Sequence, residues 1–214
     1  MTDTKNILLP SAELTQALEE LRSAGSPEEL AARSGELVAK YDREWQLAHN
    51  AGKAVDGPVV DFLTAVQVHV EALAATEQLS EAVTTLLFGL LSTDIAKADT
   101  SRFEGLYLRS VQTLAMLLIS LADACPAPGC AEHLDVCARY GLGLFTAAYA
   151  RYLEDGGAPI ADRGMDELYR QCAEGGVLDA LPPLHGEPLR PLERRGELLV
   201  DILTRLRACG LASI

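Results

Sequence analysis

Three of the chain's five cysteines and one of its four histidines fall within thirteen residues, CPAPGCAEHLDVC, at 125–137. Thiolate and imidazole are zinc donors, so Cys125, Cys130, His133 and Cys137 are candidate metal ligands. On a helix, positions 130, 133 and 137 lie within about 60° of one another. Helical rise limits what that face can do. Seven residues separate the β-carbons of 130 and 137 by about 10 Å. One zinc ion, with bonds of about 2.3 Å, joins cysteine β-carbons only up to roughly 7 Å apart. The four residues therefore do not share one ion on an intact helix. Two smaller sets survive: Cys125, Cys130 and His133 around the turn, or His133 with Cys137. Each needs a further ligand, such as Cys172. Zinc is the metal these residues allow, and no cofactor is favoured.

A structural reading of the same residues is stronger. Cys130, Leu134, Cys137, Gly141, Leu144 and Ala148 follow a 4-3-4-3-4 spacing. That is the seam of a buried helix, with cysteine as a small core residue. Pro126, Pro128 and Gly129 read as the turn that feeds it. A Cys125–Cys130 disulfide fits such a turn geometrically.

Other residues invite chemistry elsewhere. Phe62, Val66, His69 and Leu73 share one helical stripe, so His69 is expected to face inward. An inward histidine beside a cavity can ligate haem or move a proton; a core-edge histidine bonded to a neighbouring hydroxyl or carbonyl is the plainer account. Tyr149 and Tyr152 flank Arg151 on a helix that also carries Tyr140 and Phe145. They could line a pocket or an interface, or pack in the core with their hydroxyls at the surface. His69, Tyr149 and Tyr152 are thus the candidate ligand-binding residues. No HExxH occurs, and no glutamate stands three residues before any histidine, so neither a zinc-protease nor a di-iron carboxylate pattern is supported. Gly141 and Gly143 follow no strand and lack a third glycine, which fits a close helix–helix approach better than a phosphate loop.

These residues need helices to position them, and helix signals dominate. Ser26, Pro27 and Glu29 form a capping box opening a helix to about Asn50. Ser101 and Glu104 repeat it for a helix to about Ala124. Further helices are expected at about 11–24, 58–77, 80–98 (capped by Ser80), 130–154, 163–174 and 191–208. Sustained alternation is missing, so no significant sheet is expected. Residues 175–190 hold three prolines and read as an irregular strap packed by Val177, Leu178, Leu181 and Leu184. The expected architecture is all-α: one domain over 1–214, a single bundle of seven to eight helices with 58–98 at its centre.

Composition sets the outer bounds. The apolar fraction is 49%, enough for a core without disulfides or metal. The net charge is −13, which disfavours nucleic acid and anionic membrane surfaces as partners. The start has no signal-peptide pattern, and residues 111–125 look too short and interrupted to span a bilayer. Cytoplasmic residence with free thiols is the expectation. No complete catalytic constellation can be assembled by spacing. The first functional expectation is therefore a non-enzymatic helical interaction or regulatory module, with a protein partner or a second copy of the chain. A small-molecule or cofactor binder with a pocket between helices is the second. An enzyme whose site is assembled from separate helices is the third.

Overall fold

The computed structural model describes residues 7–21, 25–125 and 129–212. Among them are eight α-helices and two short 3-10 turns, with no strand beyond one isolated bridge. The fold is an all-α bundle, as the periodicity predicts. Two compact units divide the chain, Met1–Tyr107 and Leu108–Ile214.

The first unit holds α1 (Ala12–Leu21), α2 (Pro27–Asn50), α3 (Asp56–Ala75) and α4 (Leu79–Ile95). It also takes in the start of α5 (Glu104–Ala124). α3 is its centre. α2 packs along one side of α3, and α4 along another. Trp45, Phe62 and Phe88 link these three helices through rings 6.2 Å and 5.9 Å apart. Asp56 clamps the connection after α4. It accepts from Arg102 Nη1 at 2.7 Å and from the Asp99 backbone N–H at 3.2 Å.

Capping decides where the helices start, with three departures from expectation. Ser26 Oγ accepts from Glu29 N–H at 3.1 Å, as a capping box requires, but the Glu29 carboxylate reaches back to Gly25 N–H at 2.9 Å rather than to Ser26. Ser80 does not cap α4, which begins one residue earlier after Gln78. Ser101 does not open α5. Asp99, two residues upstream, accepts from both its backbone N–H and its hydroxyl, winding Thr100–Arg102 into a 3-10 turn. Aspartate competes well for such short-range bonds.

The second unit holds the rest of α5, then α6 (Ala131–Glu154), α7 (Met165–Glu174) and α8 (Arg195–Ala208). α6 carries both α7 and α8. The 175–190 strap is irregular, as expected, but contains one tight reversal. Leu184 and Glu187 exchange backbone bonds of 3.0 Å and 3.1 Å. His185 and Gly186 between them both have positive φ, 53° and 82°, the geometry of a two-residue hairpin turn. Leu184 is buried, Leu181 is half-buried and Leu178 is exposed.

The two glycines of α6 serve different neighbours. A β-carbon on Gly141 would stand 3.0 Å from the Ala115 backbone, so α5 and α6 meet there, as expected. One on Gly143 would stand 2.6 Å from a Leu181 methyl. Gly143 receives the strap, not a helix, because Leu181 occupies the space a side chain would need.

α3 and α5 are 20 and 21 residues long, with span-length windows of mean hydropathy 1.3 and 1.4. The length objection raised from residues 111–125 therefore fails, since α5 begins at Glu104. Core packing accounts for the apolarity: 61% and 56% of those windows are buried inside the protein.

Gly141→Val should destabilise the protein by about 1–3 kcal/mol, because backbone rather than a flexible side-chain tip opposes it. Gly105→Ala, in the first turn of α5 with open space around it, should be neutral or stabilise by up to about 1 kcal/mol. Urea unfolding of both variants checks the contrast.

Candidate functional site

α3 presents Val68, Glu71, Ala72 and Ala75 at i, i+3, i+4 and i+7, one face of a helix. Two of the four are alanines, so this face is low. Leu18 and Leu21 of α1 form one wall above it, and Gly25, Ser26, Pro27 and Leu30 at the start of α2 form the other. The result is an open groove of about 500 Å³. Its walls are held from outside. Ser11 caps α1 by accepting from Leu14 N–H at 3.2 Å, and its own N–H donates to the buried Asp61 of α3 at 2.7 Å. That bond fixes the start of α1 on α3, while a Lys40–Glu13 ion pair ties α1 to α2. Among the described lining residues, Glu71 is the one charged side chain. It is exposed, and its carboxylate accepts from Gln67 Nε2 at 3.2 Å.

Sequence reasoning passed over this groove. The α3 stripe was legible as an Ala-rich face at helical spacing. Its second wall was not, because Gly25–Pro27 reads only as a capping signal.

His69 lies on the neighbouring face of α3 and turns toward α2. Its Nδ1 is 3.0 Å from Ser34 Oγ, and Gly35 passes under the ring, with room for a β-carbon only 3.3 Å from Cε1. Ser34 is fully buried and its hydroxyl donates to the Leu30 carbonyl at 2.6 Å, so Nδ1 carries the proton toward Ser34. Desolvation pushes the imidazole below the usual histidine range, partly offset by the Glu81 charge and the Ala31 backbone.

Tyr149 and Tyr152 belong to the second unit, His69 to the first. Tyr149 is fully buried and packs against Tyr169, Phe145 and Tyr152 with ring centroids 4.9, 5.8 and 5.9 Å away. Its hydroxyl accepts from Ile160 N–H at 2.7 Å and lies 3.5 Å from the Asp166 carboxylate. The Tyr152 ring lies directly over Gly157, where a β-carbon would come within 2.3 Å of it. This cluster closes the loop after α6 onto α6 and α7. Tyr140 is separate, donating to the Pro183 carbonyl of the strap at 3.2 Å.

The cysteine–histidine stretch spreads along α8. Cys137 is fully buried, its sulfur 3.9 Å from the Ile202 carbonyl. Cys130, seven residues earlier, caps α6 and places its sulfur 4.0 Å from the carbonyl of Cys209, seven residues beyond Ile202. The helices thus run antiparallel, and the two thiols meet different stations about 10 Å apart by helical rise. His133 lies half-buried between them, with Nδ1 3.4 Å from Arg205 Nη1. Arg205 is itself paired with Asp201 at 2.6 Å. Cys172 is buried in α7. Pro126 and Pro128, read as the helix-stopping residues, lie outside the described residues. Among the described residues no three Cys, His, Asp or Glu side chains converge as a metal site. The arginines near the end of the chain engage its own acids: Arg190 with Glu193, and Arg194 with Glu187 and Glu197.

His69 predicts a pH dependence. Its folded pKa lies below the unfolded value of about 6.5, so between the two the unfolded chain binds more protons. Stability should therefore be unaffected by His69 above about pH 7, fall as pH drops through 6.5, and level off below the folded pKa. His69→Gln should flatten that part of the curve. Urea midpoints from about pH 5 to 7.5 test it, and an unchanged slope in the variant would count against the assignment.

Comparison of the chain with protein-family models, with curated proteins and with solved structures finds no match.

Proposed function

We propose that this protein is a non-enzymatic helical interaction module, and that the groove over Val68, Glu71, Ala72 and Ala75 is its binding surface. Its partner is an amphipathic segment that lays small apolar side chains between Leu18 and Leu30 against the exposed Ala75, and sets a lysine or arginine against Glu71. The observation that carries this reading is the groove's composition among the described residues: leucines on both walls, small side chains on α3 between them, and the carboxylate of Glu71. Helix-in-groove recognition uses such a surface, with anchors at helical spacing. The protein's net charge of −13 favours a basic segment over an acidic one. A second reading rests on the volume: about 500 Å³ falls within the range of small-molecule sites.

Fluorescence anisotropy with labelled amphipathic peptides tests the proposal. The peptides share one apolar face and differ in carrying lysine or glutamate on the other. The basic set should bind and weaken with added salt. Glu71→Lys should reduce its affinity about tenfold, and Ala75→Trp, on the exposed rim, should abolish binding by filling the groove. Equal binding of both peptide sets, or indifference to the two substitutions, would overturn it. Thermal stabilisation by apolar small molecules, lost in Ala75→Trp, would instead support the second reading.

A further inference from the structure

The seam between α6 and α8 brings together two thiols that lie far apart in sequence. Cys130 is the N-cap of α6, and Cys209 is the C-cap of α8. The Cys130 sulfur stands 4.0 Å from the Cys209 carbonyl oxygen, which sets the two cysteines side by side. Both residues are partly exposed, unlike Cys137 and Cys172. Each sits at a helix terminus, where adjustment of one residue does not break a run of helical bonds.

We propose that Cys130 and Cys209 form a dithiol modification site, which a low-molecular-weight disulfide converts into a reversible intramolecular disulfide joining the start of α6 to the end of α8. Burial, and then the neighbouring Cys130 sulfur, hold the Cys209 thiol above the usual range. Cys209 is therefore the resolving sulfur and Cys130 the attacking one.

The exchange balances as follows. The Cys130 thiolate attacks one sulfur of the small disulfide, RSSR; its S–S bond breaks, and RS⁻ leaves and takes a proton from solvent. Cys209 then gives up its proton and attacks the Cys130 sulfur of the mixed disulfide, expelling a second RS⁻, which is protonated in turn. The protein dithiol loses two electrons and RSSR gains them, giving two RSH. The two sulfurs must come together to a bond of about 2.05 Å, which rotation of the two cysteine side chains, with adjustment of the helix ends, supplies. Excess small thiol reverses both steps.

Cys125 supplies the competing product. It is partly exposed, and its spacing from Cys130 also suits a turn disulfide. The test is incubation of the reduced full-length protein with glutathione disulfide, then digestion without reductant and mass spectrometry. The expected product is the linked Cys130–Cys209 peptide pair, removed by added reduced glutathione. Cys209→Ser should trap a glutathione adduct on Cys130. Cys130→Ser should slow adduct formation at Cys209 about tenfold or more. Cys125→Ser should leave the cross-link yield unchanged. A predominant Cys125–Cys130 link, equal adducts on all three cysteines without a link, or no oxidation at all would overturn the proposal. The wild-type map decides the pairing even if a variant folds poorly.

Discussion

Close approach at glycines is the constraint on which both units depend. In the first unit, Gly35 lets α2 ride over the His69 ring, and Gly89 lets α4 settle on Val66, where a β-carbon would come within 2.9 Å. In the second, Gly141 brings α6 against the α5 backbone and Gly143 admits Leu181 of the strap. Each glycine lowers the helical propensity of its own helix. Each also removes the bulk that would hold neighbours apart, and tight packing returns more than the propensity costs. With aromatics at only 5% of the chain, there are few large side chains to span wider gaps. Leucine, alanine and valine fill a core only if the helices sit close together.

The same economy explains the groove. On the side of α3 facing α4, small residues are covered. On the side bearing Ala72 and Ala75, α1 and the start of α2 close over Ala72 and leave Ala75 open among the described residues. Position on the helix, not composition, separates core from surface here: Ala72 is buried at 1% exposure while Ala75, one turn on, is exposed. The buried Asp61 keeps that arrangement in place by spending its carboxylate on the start of α1.

Much of the fold was legible because its signals are local. The Ser26–Pro27 start of α2 and the seam Leu134–Cys137–Gly141–Leu144 can be read from spacing alone, since helix period and capping chemistry act over four residues. The misreadings were competitions between neighbouring donors and acceptors. Asp99 accepts the Ser101 N–H that the capping box assigns to Glu104, and Glu29 bonds Gly25 in place of Ser26. Spacing lists what could cap, but geometry decides which acceptor wins. The candidate sites were less legible because they are long-range. Helical rise separates Cys130 from Cys137 on the page of the sequence, yet nothing near position 130 announces Cys209. His69 was placed inward by its stripe, but its partner Ser34 lies on another helix. The His185–Gly186 reversal lacked the flanking β-branched runs by which hairpins are recognised.

The antiparallel register of α6 on α8 has one further consequence. Cys137 faces Ile202 midway along that seam, and burial pushes its thiol up to about 12. Folded, it is both shielded and protonated, and so almost inert to alkylating reagents. Unfolded, it would react as an ordinary cysteine. The protein therefore carries its own chemical clock: labelling at Cys137 proceeds only through opening of the seam, and its rate reports how often α8 leaves α6 without any probe being introduced.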